Sequence, residues 1–353
     1  MKHLTALTEL IASPLPLLQA PMAGAQGSAL ALAVCRAGGV GGVPAAMLSP
    51  EALRAELQVL REQAQGPWNV NFFCHTPPQQ DGMAEARWRE ALRPFYDEVG
   101  IDPDNVPTGA GRVPFSHAVA DMVEPFAPPV VSFHFGLPAP DLLARVKSWG
   151  SRVLSSATTV EEALWLEAHG VDAVIAQGLE AGGHRGMFLT AELGTQMGTF
   201  ALLPQVLAAV KVPVIAAGGI ANAAGVHAAL ALGAAGVQVG TAFLCCPEAS
   251  TSALHRTALM SEAARHTELT TLFSGRPARG IVNRLMRALG PLNPAAPAFP
   301  LATAAVAPLR AHFEALGRTD CTPLWSGQNA SGCRAVPAAE IVAELAQGFS
   351  AAR

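Results

Sequence analysis

The sequence predicts an α/β chain folded as a closed parallel (β/α)8 barrel, a TIM barrel, with a helical subdomain appended. Three observations carry this. Apolar runs of strand length alternate with helical stretches about eight times, several of those runs end abruptly in glycine or polar residues, and near residue 246 the alternation gives way to helices alone. Of 353 residues, 50% are hydrophobic and 14% charged, which is enough apolar chain for a barrel-sized core and an appendage.

The first strand is read at residues 15–24, an apolar run closed by Pro21 and Gly24, with Met22 at its mouth. Residues 28–37 are helical, and 38–43 form a strand so rich in glycine that another group must approach it closely. Ser49 is the N-cap, and Pro50 the first residue, of a helix reaching Gln65. The third strand is 68–73. Asn71 near its end is an amide in an apolar run and needs a partner, either a bound cofactor or substrate or a loop backbone. A charged helix over 83–99 and a loop lead to a fourth strand at 129–136. There His134, among aromatic residues, is either a satisfied core histidine or a pocket residue. Helix 142–149, strand 152–156, helix 160–169 and strand 171–176 follow. Later come helix 198–210, strand 212–217, a helix capped by Asn222 and ending near Leu232, and a last strand over 236–241.

The barrel is assigned to residues 1–245, a helical lid to 246–290, and a proline-rich connection with helices that pack back on the barrel to 291–353. Within the lid, residues 273–280 make a basic turn whose arginines, Arg276 and Arg279, are read as solvated. A net charge of −4 offers no electrostatic attraction to nucleic acid or an anionic membrane. No apolar run is long enough to span a bilayer and the N-terminus lacks a signal-peptide core, so a cytoplasmic protein is expected. Six cysteines without CxxC spacing indicate neither a disulfide framework nor a zinc site.

The chain turns on residues 177–186, Gln-Gly-Leu-Glu-Ala-Gly-Gly-His-Arg-Gly, where a buried strand empties into glycines. Paired glycines allow close backbone approach, and His184 brings a group that titrates near neutrality. Gly218-Gly219 and Gly240-Thr241 end the last two strands, where such barrels commonly bind phosphate. No metal set accompanies them. Amides at Asn71 and Gln177 beside a phosphate cradle suit a planar, hydrogen-bonding phosphorylated cofactor such as FMN.

Residues 19–24 (Gln-Ala-Pro-Met-Ala-Gly), 69–73 (Asn-Val-Asn-Phe-Phe), 132–136 (Ser-Phe-His-Phe-Gly), 177–186, 217–220 (Ala-Gly-Gly-Ile) and 238–241 (Gln-Val-Gly-Thr) together resemble the motif series of nitronate monooxygenases. So do residues 274–280 and 324–328, so the resemblance spans nearly the whole chain. It implies an FMN-bound (β/α)8 barrel that oxidises alkyl nitronates with O2 to a carbonyl compound and nitrite. By the same resemblance Met22, Asn71, Gln177, Gly182, Gly218, Gly219, Gln238, Val239, Gly240 and Thr241 would contact FMN. His184 would be the catalytic histidine, taking an α-proton from a nitroalkane or stabilising an anionic nitronate, and His134 a substrate-pocket neighbour. Typical members place tyrosines and a lysine in the segment matching 299–307, where this chain has Phe299, Thr303 and Ala307. That departure bears on which nitronate is accepted. An FMN-dependent enoyl-[acyl-carrier-protein] reductase and a non-catalytic FMN-binding protein are the alternatives.

Overall fold

A computed structural model describes residues 2–350 apart from 80, 107 and 110. Eight parallel strands form the barrel: β1 (Leu17–Gln19), β2 (Gly41–Pro44), β3 (Trp68–Phe73), β4 (Val130–His134), β5 (Arg152–Ala157), β6 (Ala173–Gln177), and, after the two-residue β7 (Gly183–His184), β8 (Val214–Ala217) and β9 (Gly236–Val239). They are ordered β1-β9-β8-β6-β5-β4-β3-β2, and a parallel bridge between Leu18 and Val40 closes the ring.

Each strand is covered on both faces, which is why the sequence shows continuous apolar runs. Inward residues such as Leu18, Val40, Leu154, Ile175 and Ile215 fill the barrel axis. A helix that sequence reasoning leaves out, α1 (Lys2–Ile11), inserts Leu7 and Ile11 into the same cluster. Outward residues meet the ring helices α2 (Ser28–Arg36) and α3 (Pro50–Gln63) and, past the outlying α4 (Gly82–Val99) and α5 (His117–Val123), α6 (Pro140–Ser148), α7 (Val160–Ala168), α8 (Thr199–Ala209) and α9 (Ala223–Ala231). The expected caps form. Ser49 accepts from the Ala52 N–H at 3.2 Å and Asn222 from the Gly225 N–H at 3.0 Å.

The chain then leaves the ring. Helix α10 (Ala253–Leu259), strands β10 (Thr267–Thr270) and β11 (Ala278–Ile281), and helices α11 (Arg284–Leu289) and α12 (Ala302–Ala315) precede α13 (Ala338–Ser350). Helix α13 packs between α9 and α2, burying Ile341, Val342, Leu345 and Phe349 in the barrel's outer core.

Two features of this excursion differ from the sequence reading. Residues 246–290 are not helices alone: β10 and β11 pair antiparallel, and β11 pairs in turn with β7. Both strands are short and half polar, and the partner of β11 is remote in sequence, so no local alternation announces them. The roof also has a second source. Trp88, Leu92, Phe95 and Tyr96 of α4 share a core with Leu309 and Phe313 of α12. Trp88 Nε1 donates to the Ala302 carbonyl at 3.1 Å, and the Tyr96 hydroxyl to the Ala305 carbonyl at 2.6 Å. Among the described residues no helix is long and apolar enough to cross a membrane.

Candidate active site

A cavity of about 400 Å³ opens where the barrel strands end. The turn after β6 enters it. Arg185 is fully buried and donates from Nη2 to the Gln177 carbonyl and from Nη1 to that of Gly178, both at 2.7 Å, and from Nε to Gln196 Oε1 at 3.0 Å. Burial pushes its guanidinium down to about 10, still cationic at neutral pH. The strand end, which offers carbonyls and no carboxylate to this cation, is thereby folded back so that His184 faces the cavity.

The backbone of His184 is held from two sides. Gln177 Nε2 donates to its carbonyl at 3.0 Å while Gln177 Oε1 accepts from the Gly186 N–H at 2.7 Å. The same carbonyl lies 3.2 Å from His134 Nε2, which must carry the proton; His134 Nδ1 faces the Ser156 hydroxyl at 3.1 Å. Burial, then the Arg276 and Arg185 charges, push the His134 imidazole down to about 3. His134 is therefore a neutral clamp on the loop.

The His184 ring sits in an aromatic box, with centroids of Phe299, Trp325, Phe135 and Phe73 at 5.4, 5.5, 6.1 and 6.2 Å. Its Nε2 lies 2.8 Å from Ser274 Oγ, and Nδ1 has no protein partner among the described residues. Burial first, then Arg112, His134, Arg276 and His75, hold its pKa well below the ordinary histidine value. No carboxylate opposes them, so His184 is neutral at pH 7.

The expected cofactor residues converge here with one exception. Met22, Asn71 and Gln177, then Gly182, Gly218 and Gly219, then Gln238, Gly240 and Thr241 all line the cavity, as do His134 and His184. Val239 does not: its side chain is in the outer core, since alternation along β9 turns Gln238 inward and its neighbours outward. Asn71 Nδ2 donates to the Ser132 carbonyl at 3.2 Å and Oγ at 2.9 Å, leaving its oxygen without a donor among the described residues. Gln238 Oε1 is buried and unpartnered. Gly218 and Gly219 have φ of +117° and +72°, and the N–H groups of Gly219, Ile220, Gly240 and Thr241 find no acceptor among the described residues. Orphaned acceptors beside a cradle of free N–H groups fit a planar ring bearing a phosphate.

The basic turn is corrected as well. Arg279 is buried and donates to the Leu179 carbonyl at 2.9 Å and to Thr267 at 3.2 Å, while Arg276 lies 3.9 Å over the Phe135 ring and bonds to the Met187 carbonyl. Neither is solvated, because pairing of β11 with β7 carries the turn over the cavity. Sequence reasoning also missed Arg112 and Phe73 as wall residues; they come from a loop and a strand end, and no spacing links them.

Three buried histidines give a testable pH response. Burial lowers His75 and His255 to about 4 and His134 to about 3, below the ~6.5 of an unfolded chain. Below pH 6.5 the unfolded chain binds more protons. Their contribution to stability is thus complete above pH 6.5 and is lost as the pH falls toward those lower values, by up to about 1.4 kcal/mol per pH unit for each histidine. Tm should fall steadily from pH 6.5 to 5; a flat profile would show that these rings are not buried and neutral.

Comparison with known proteins agrees with this geometry. Residues 4–348 match the family described as nitronate monooxygenase. A nitronate monooxygenase of Paraburkholderia phytofirmans is 43% identical, covering 96% of this chain and 93% of its own. One from Pseudomonas aeruginosa is 41% identical, over 96% and 97%. The crystal structure of a nitroalkane oxidase from Streptomyces ansochromogenes superimposes with a TM-score of 0.89 at 38% identity, covering 99% of this chain and all of that one. The chain belongs to the nitronate monooxygenase family, flavin-dependent oxidoreductases that act on nitronates and nitroalkanes.

Proposed function

We propose that the cavity holds FMN and that the protein oxidises alkyl nitronates with O2 to a carbonyl compound and nitrite. Gly218, Gly219, Gly240 and Thr241 would hold the phosphate through backbone N–H groups, with Asn71, Gln238 and Met22 against the ring. Gln177 and Gly182 shape the loop beside it, since a Cβ on Gly182 would sit 2.5 Å from the Gly327 nitrogen. Bound flavin supplies the redox chemistry, taking electrons from the substrate and passing them to oxygen.

The observation that carries the substrate reading is a neutral His184 among cations and aromatic rings, with no carboxylate acting on it; Glu180, which also lines the cavity, is turned to Thr199. With its proton on Nε2 toward Ser274, Nδ1 presents a lone pair to the cavity; in the other tautomer Nδ1–H is a donor. The lowered pKa makes His184 a weak base toward the carbon of a neutral nitroalkane, because a base works best with a pKa near the operating pH. A nitronate has already lost that proton, and Nδ1–H can donate to its oxyanion. The aromatic walls keep water from the reacting carbon.

The test is direct. Heat-denatured protein should release FMN, and native protein mixed with ethyl nitronate in air should release nitrite, far faster than with neutral nitroethane. Absence of flavin in folded protein, or bleaching by NADH with no response to nitronate, would overturn the reading.

A further inference from the structure

Arg112 and Arg310 line the cavity, and Arg185, Arg276 and Arg279 lie around it; Arg310 is ion-paired with Glu314 at 2.7 Å. Arg185 and Arg279 are bonded to backbone carbonyls, and Arg276 is bonded to Met187 and stacked on Phe135, with only its Nε enclosed without a partner among the described residues. Arg112 is different. Its side chain lines the cavity beside His184, yet it makes no hydrogen bond or ion pair among the described residues, and its Nη1 is enclosed without a partner. Its guanidinium carbon lies 5.4 Å from the Phe299 ring centroid, and its backbone lies against His75. The loop is anchored nearby, as the Phe115 N–H donates to the Phe73 carbonyl at 2.8 Å.

Arg112 is half-buried with its Nη1 enclosed, and a cation so placed without a partner is costly and is completed by an anion. Arg112 and His184 line the same cavity, so an anion that neutralises the guanidinium lies in the space that His184 faces. Phe299 bridges the two, its centroid 5.4 Å from the imidazole. A guanidinium presents a planar fork of donors matched to a planar oxyanion.

We propose that Arg112 is a substrate-binding residue that receives an oxyanion of the substrate. The proposal rests on the nitronate reading of the same cavity. It also supplies a cation that the 299–307 segment lacks, since Thr303 is bonded to the Phe273 carbonyl and Ala307 is exposed. The oxyanion is either the nitronate group itself or a carboxylate elsewhere on the substrate; both ask for the same donors.

Nitrate, a planar oxyanion, is the binding probe, titrated calorimetrically into the flavin-loaded protein and into Arg112→Met and Arg112→Lys. Kd should rise roughly 10- to 100-fold in Arg112→Met and less in Arg112→Lys. Tm of Arg112→Met without ligand should be unchanged or higher, as an unpaired half-buried charge has been removed. An unchanged Kd, or a lowered Tm with unchanged Kd, would overturn the proposal and leave Arg112 a structural residue. Kinetics locate the anion. An equal loss of kcat/KM for ethyl nitronate and a carboxylate-bearing nitronate assigns Arg112 to the nitronate group, whereas loss confined to the latter assigns it to the carboxylate. Nitrate binding that depends on Arg112 in a protein unable to oxidise nitronates would sink the activity reading and leave the oxyanion site standing.

Discussion

Replacing His184 with asparagine should lower kcat/KM for ethyl nitronate by about 10²- to 10³-fold while leaving the flavin bound. The backbone at 184 is fixed by Gln177 and His134, neither of which depends on the imidazole, so the loop should keep its course. What is lost is the ring between Ser274 and the cavity. The expected result is a protein with the flavin content and Tm of the parent and little nitrite release. Because the parent imidazole is already neutral well below pH 6.5, the parent's kcat/KM should hold steady as the pH falls from 8 to 6. Turnover unchanged in the asparagine variant would remove His184 from the chemistry, and a decline of the parent centred near pH 6.5 would show that its imidazole is not shielded.

Arg185→Met should be the most destabilising change near the site. The variant keeps the apolar stem and removes three charge-assisted bonds, leaving the Gln177 and Gly178 carbonyls and Gln196 Oε1 without that donor. At about 1–3 kcal/mol for each buried acceptor left short, the loss is on the order of 3 kcal/mol or more. For a chain of this length that corresponds to a fall in Tm of roughly 4 °C. Activity should fall with it, since the same bonds fold the end of β6 back toward His184. Thermal unfolding and nitrite release measured together check both parts, and a variant with parental Tm and turnover would show that the strand end is held by other contacts.

Much of the barrel was legible because its signals are local. Strands β6 and β8 are apolar runs, and the glycines at their ends and after β9 mark where backbone approaches the cavity. The turn after β6 could be singled out for that reason. The sequence does not tell the Val239 side chain from that of Gln238, because a strand buried on both faces shows no polar alternation and nothing local says that Gln238 points inward while Val239 points out. Arg279 and Arg276 were misread as surface charge because their partners are backbone carbonyls and an aromatic face, which leave no trace in a residue pattern. Arg112 and Phe299 lie far apart in sequence and meet only through the fold. Strands β10 and β11 were missed for a related reason, as β11 takes its second partner from the β6 turn.

The shared core of α4 and α12 limits how such a protein can be recombined. The excursion between β9 and α13 sits inside a single strand–helix unit of the ring and has the outline of a cassette that could be exchanged for a relative's to alter which substrates enter. It is not separable at those joints. Trp88 and Tyr96, on a helix inserted earlier between β3 and β4, hydrogen bond to the carbonyls of Ala302 and Ala305. A chimera taking only the later segment would set one parent's α4 against the other's α12, whereas one exchanging both insertions together would keep the matched surfaces in the same hands.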